Sequence, residues 1–74
     1  MKAYIVKRIP GDDNYKKYFN YYEQAWVENE KNATRFNVTF NTWTRKEYTK
    51  ILNDFQSKSI EDGFIYEREI IKED

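Results

Sequence analysis

The clearest periodicity in the chain is helical. Tyr48, Ile51, Leu52 and Phe55 recur at the intervals that bring side chains onto one face of a helix. Just ahead of them, Thr44-Arg45-Lys46-Glu47 has the form of a capping box, with the Thr44 hydroxyl on the Glu47 amide and the Glu47 carboxylate reaching back to the cap. Trp43 before the cap and Tyr48 at the fourth helical position have the spacing of a hydrophobic staple. These signals predict a helix over about residues 45–57.

Three segments read as strands. Tyr4-Ile5-Val6-Lys7-Arg8-Ile9 is β-branched and aromatic, and Pro10-Gly11 closes it with the two central residues that a type II turn prefers. Phe36, Val38 and Phe40 alternate with Arg35, Asn37 and Thr39, the period of a half-buried strand. Gly63 opens Phe64-Ile65-Tyr66-Glu67-Arg68-Glu69-Ile70-Ile71, with Phe64, Tyr66 and Ile70 on one face and Glu67 and Glu69 on the other. Arg68 falls on the apolar face, which suits a strand end or an edge.

Residues 15–31 admit two readings. Tyr15, Tyr18, Phe19, Tyr22, Ala25, Trp26 and Asn29 follow helical spacing, and Asp12 or Asp13 could cap such a helix at about residues 13–30. Tyr and Phe favour strands, however, and Asn14 and Asn20 favour turns or strand ends. A hairpin turning at Pro10-Gly11 into a strand over 15–22, with a further extended piece over 25–28, is the preferred reading. The expected fold is α+β: one domain over residues 1–74, with a small antiparallel sheet of three to four strands and one helix packed on it. Val6, Trp26, Phe36, Val38, Phe40, Leu52, Phe55 and Phe64 form the expected core.

The aromatic content changes the picture. Fourteen of 74 residues are aromatic, and Tyr18, Phe19, Tyr21 and Tyr22 crowd into five positions. Neighbouring residues project in different directions on a strand or a helix, so these rings cannot all face inward. Net charge is zero, but residues 1–58 carry a balance of +4 and residues 59–74 a balance of −4. No long-range field remains to hold a polyanion, although the segregation could orient a partner.

The chain holds neither His nor Cys. The commonest general base, the commonest metal ligand and all thiol chemistry are therefore missing. The adjacent pairs Asp12-Asp13 and Glu61-Asp62 lie beside glycines, where carboxylates serve turns. Gly11 and Gly63 are the only glycines, so no phosphate-cradling loop is present. This points to a protein that is not an enzyme and uses no cofactor, metal or small molecule. The opening apolar run is too short for a signal peptide, and no segment nears the ~20 apolar residues of a membrane span. The expectation is a cytoplasmic protein, which leaves the sequons Asn32-Ala33-Thr34 and Asn37-Val38-Thr39 without meaning.

Trp26, with Ala33 seven residues on and Phe36 three beyond that, stands between a lysine-bearing first strand and a capped helix. This arrangement resembles small uncharacterised proteins of phages and mobile elements of low-GC Gram-positive bacteria. The likeness covers about fifty residues and departs where residues 37–43 are inserted before the helix. It implies a genomic setting, and the matching positions look structural.

Two functional readings follow. In the first, the chain binds another protein, and phage-like origin makes it an inhibitor or modulator of a host or defence enzyme. With 15–22 as a strand, Lys16, Tyr18, Asn20 and Tyr22 share an outward face, so Tyr18 and Tyr22 are expected at the centre of the contact with Lys16 at its rim. In the second, it binds single-stranded nucleic acid, stacking bases on Tyr18, Tyr22 or Trp26 and holding phosphates with Lys16, Lys17, Arg45, Lys46 and Lys50. Zero net charge places nucleic acid second.

Overall fold

In a computed structural model, which describes residues 1–40 and 42–72, the chain is α+β, with one helix packed on a small, open antiparallel sheet. Strand β1 (Lys2–Ile9) leads through Pro10-Gly11 into β2 (Asp12–Asn20), followed by β3 (Ala25–Val27), a 3-10 turn at Glu30–Asn32, the short β4 (Phe36–Asn37), helix α1 (Trp43–Asp62) and β5 (Ile65–Ile71). Residues 15–20 are thus strand, and the alternative of a second helix over about 13–30 is not supported. The strand propensity of Tyr and Phe, together with the Pro-Gly turn, outweighs the helical spacing there. Gly11 has φ of 81°, the left-handed conformation required at the third position of a type II turn.

β1 is the hub of the sheet. β5 pairs along one edge of it, from Lys2 opposite Ile71 to Arg8 opposite Ile65. β2 takes the other edge, with Val6 opposite Tyr18 and Arg8 opposite Lys16, and β3 continues the sheet beyond β2. β4 pairs with Lys2 and Ala3 on the part of that second edge which β2 leaves open.

Cross-strand partners in an antiparallel pair project to the same face, so the register sorts the side chains. On the helix side Ala3, Ile5, Phe19 and Phe36 join Val38 and Tyr48 in a buried core, with Trp26, Ile51, Leu52 and Phe55 packed against it. The filling is aromatic. Phe19, Trp26, Phe55 and Tyr66 form a continuous ring cluster with centroids 5.0–5.7 Å apart, and Phe36 meets Tyr48 at 5.3 Å. Aromatic pairs at such separations add to the stabilisation given by their buried area. Much of the aromatic surplus therefore serves packing. Lys7 also lies on this face, with its ammonium 3.9 Å from the Phe64 ring centroid and 5.3 Å from that of Trp26.

The helix is longer than its apolar stripe. It starts two residues before the expected Arg45 because Thr42, not Thr44, is the N-cap, and the Thr42 hydroxyl accepts the Arg45 amide at 3.1 Å. Thr42 is fixed from the other side as well, since its hydroxyl donates to the Thr39 carbonyl at 2.8 Å. That contact belongs to the entering chain, which a local pattern at Thr44–Glu47 does not register. At the far end the helix passes residue 57 and runs to Asp62, capped by Gly63 at φ 76° with its N–H on the Ser59 carbonyl. The extra turn lies beyond the stripe, and its Ile60 is 95% exposed.

Phe40 departs from the expected core. β4 stops at Asn37, whose carboxamide oxygen accepts the Thr39 amide at 3.0 Å and turns the chain. The alternation that buries Phe36 and Val38 ends with this turn, leaving Phe40 72% exposed. Leu52, Phe55, Phe64 and Trp26 are half-buried against the core rather than sealed within it. Arg68 pairs with Ile5 on the helix face but stays exposed, since β5 is the outer strand on its side of the sheet.

Candidate interaction surface

The expected trio of Lys16, Tyr18 and Tyr22 does not form one surface. Lys16 and Tyr18 do project from the face opposite the helix, as the inward position of Phe19 requires, but Tyr18 is only 8% exposed. Tyr18 stands opposite Val6 on one side and Val27 on the other, with the Tyr4 ring edge-on at 5.2 Å. Central strands therefore bury it even where no helix covers them. Tyr22 lies past the end of β2, in the turn before β3, and is 86% exposed.

Lys16 is engaged on the sheet. Its ammonium donates to the Glu69 carboxylate and lies 5.2 Å from the Tyr18 ring centroid. Burial alone would lower its pKa, but Glu69 and Tyr18 outweigh that and hold it above the ordinary lysine value. Arg8 pairs with Glu67 at 3.3 Å on the same face. Lys17 approaches the Tyr15 ring on the other face, 5.5 Å from its centroid. The cations suggested for phosphate contact are thus divided between opposite sides of the molecule.

A different set of rings comes together where β1 begins and the helix starts. Tyr22 and Trp43 are 86% and 73% exposed and Tyr21 is also on the surface, while Phe40, 72% exposed, lies outside the lining of the groove they share. Between the β2–β3 turn and the first turns of α1 runs a groove of about 190 Å³, walled by Tyr21, Tyr22 and Trp43 and floored by Phe36 and Ile51, with Glu47 on its rim. Tyr21 packs edge-on against Tyr22 at 5.8 Å and against Phe36 at 6.3 Å, joining the surface rings to the core.

The turn that presents these tyrosines is held by side chains. The Tyr21 amide donates to the Thr34 hydroxyl at 2.8 Å, Asn20 Nδ2 donates to the Asn32 carbonyl at 2.8 Å, and the Glu23 amide donates to Asn20 Oδ1 at 2.9 Å. Gln24 adopts φ of 51° and donates to the Tyr21 carbonyl. Such bonds set the rings in place before any partner arrives, which removes part of the ordering cost of association. Phe40 is steadied by the Arg45 guanidinium, 5.1 Å from its ring centroid.

Sequence reasoning assigned Trp43 to a staple and Phe40 to the core, and so missed both. The signals were present in Asn37-Val38-Thr39, which can form an Asx turn, and in Thr42 as a second cap candidate. Among the described residues no three acidic side chains converge as metal ligands would. Among the described residues no helix is long and apolar enough to cross a membrane. Comparison with protein-family models, curated proteins and solved structures finds no match to the chain.

Proposed function

We propose that the chain is a small, non-enzymatic protein-binding protein whose contact surface is the aromatic end formed by Tyr21, Tyr22 and Trp43. The observation that carries this reading is the exposure of Tyr22 and Trp43 on either side of an apolar groove with a preformed wall. Tyr and Trp dominate interface hot spots because each gives large contact area, loses little rotamer entropy and keeps a polar tip. The resemblance to phage and mobile-element proteins supports a role as inhibitor or modulator of a host or defence enzyme, acting in the cytoplasm.

Binding of single-stranded nucleic acid is less well supported. Tyr18 is buried and Trp26 is packed into the ring cluster, so two of its three candidate stacking platforms are occupied, and Lys16 is held by Glu69.

The test compares wild type with a Tyr22→Ala/Trp43→Ala double variant. Both side chains are largely exposed, so the fold should persist by circular dichroism, while affinity for a partner captured by wild type should fall at least about a hundredfold if both are hot spots. A folded double variant with undiminished affinity rules this surface out.

A further inference from the structure

The flank of the aromatic groove carries cations that no described carboxylate pairs. Along the first two turns of α1, Trp43, Lys46 and Lys50 follow one another at helical spacing and form a ridge. On one side of the ridge lies the groove; on the other is a broad, shallow depression lined by Thr42, Arg45, Lys46, Thr49, Lys50 and Asn53, with Asp54 as its one acid. None of these three cations has a carboxylate within ion-pair distance among the described residues, whereas Arg8 and Lys16 each have one. Glu47 is the only acid on these two turns.

The surrounding topology has the same sign. β1 begins and β5 ends at this end of the sheet, with Lys2 opposite Ile71 and Lys72 following. The helix dipole directs its positive end the same way. At the opposite end the hairpin carries Asp12 and Asp13 and the helix finishes with Glu61 and Asp62. Among the described residues, the cations of the helix start thus lie at the same end as the exposed rings, away from these four acids.

We infer that the segment this surface takes is an acidic stretch of a partner protein bearing one apolar side chain. The apolar side chain enters the groove between Tyr21, Tyr22 and Trp43, and its neighbouring carboxylates cross the helix to Lys46, Lys50 and Arg45. This deepens the protein-binding reading and rests on it. A second copy of the chain fits less well, because its acidic pole has no comparable cluster of exposed large apolar side chains: Ile60 stands alone there among the described residues. A nucleic-acid strand would stack on the exposed rings and satisfy the cations, but zero net charge places it second, and oligo(dT) tests it directly.

The probe is a short synthetic peptide of Asp and Glu with a central Leu, titrated while Trp fluorescence is followed and the signal is assigned by its loss in Trp43→Phe. Controls are the same peptide with Ser for Leu, its counterpart with Lys for every acid, and oligo(dT). The acidic Leu peptide should bind more tightly than every control, and salt should weaken it. Lys46→Glu/Lys50→Glu, whose folding is checked by circular dichroism, should weaken it roughly tenfold or more. Absence of binding, equal binding of the Lys counterpart, or tighter binding of oligo(dT) overturns the inference, the last in favour of nucleic acid. The two proposals also fail separately. A captured partner lost by Tyr22→Ala/Trp43→Ala but held undiminished by Lys46→Glu/Lys50→Glu leaves the aromatic surface standing and removes the acidic segment.

Discussion

Lys16 on β2 reaches over the central strand to bind Glu69 on β5. Lys16 stands opposite Arg8 and Glu69 opposite Tyr4, so the bridge crosses the position of Val6 between them. Val6 is 1% exposed although it faces away from the helix, under a cover made from the Lys16 stem, the Tyr4–Tyr18 ring pair and the Arg8–Glu67 bridge. Long charged side chains can shield apolar surface with their stems while keeping their charged ends near water.

Loosening that cover should cost little electrostatic energy and more packing. Glu69→Gln keeps the shape and should destabilise by about 0.5–1 kcal/mol, the range for partly exposed pairs. Lys16→Ala removes the stem as well and should cost more than Glu69→Gln. Urea unfolding of the two variants checks the order. The reverse order would mean that Coulombic attraction, rather than coverage of Val6, is the main contribution.

Alkaline titration should find Tyr48 and Tyr66 resistant to ionisation. Burial raises Tyr48 to about 12, and burial together with the hydrogen bond to Asp62 raises Tyr66 to about 12. Both phenols are held neutral in the fold, so their contribution is complete below pH 10 and is lost as pH rises from 10 towards 12. The raised Lys16 acts in the same direction, its contribution present at neutral pH and lost as pH rises through its folded value. Tyrosinate absorbance should therefore show two groups withheld until the chain unfolds. Ionisation of Tyr48 and Tyr66 near pH 10 with the fold intact would contradict this.

The two threonines at the helix start should differ. Thr42→Ala removes the hydroxyl that accepts the Arg45 amide and should cost about 1 kcal/mol, the usual loss of a cap. Thr44→Ala, inside the helix, should be close to neutral, since Ala is the better helix former. Thermal or denaturant midpoints of the pair provide the measurement.

Core truncations should follow burial rather than residue type. Ile5→Ala, at a fully buried position, should cost about 2–5 kcal/mol and could unfold so small a domain. Leu52→Ala should fall at or below the lower end of that range because its site is half-buried. Ile60→Ala should be silent within about 0.5 kcal/mol.

The sequence was legible where one local signal determined the outcome. Pro10-Gly11, the β-branched first segment and the stripe from Tyr48 to Phe55 each specified their element. It misled where a neighbour decided. Thr44 satisfies every local condition for a cap, yet Thr42 takes the role because the Thr39 carbonyl holds it. Phe40 continues a perfect alternation, yet Asn37 turns the chain first. Tyr18 was placed on the correct face, but its burial depends on Tyr4, Val6 and Val27, whose proximity is tertiary. The interaction surface was the least legible feature, because it joins a turn after β2 to a helix start some twenty residues later in the chain.

The central position of β1 has a kinetic consequence. Its pairing with β2 is a local hairpin, available as soon as the chain has turned at Pro10-Gly11. Its pairing with β5 must wait for everything between, since Arg8 meets Ile65 and Lys2 meets Ile71. Until β5 arrives, one edge of β1 presents unpaired backbone, and the cover over Val6 lacks both of its carboxylates. Proteins dominated by such distant contacts fold slowly and expose sticky edges meanwhile. Folding of this chain should therefore be limited by docking of β5, and a ribosome-bound chain that has not yet released that strand should remain sensitive to proteases throughout.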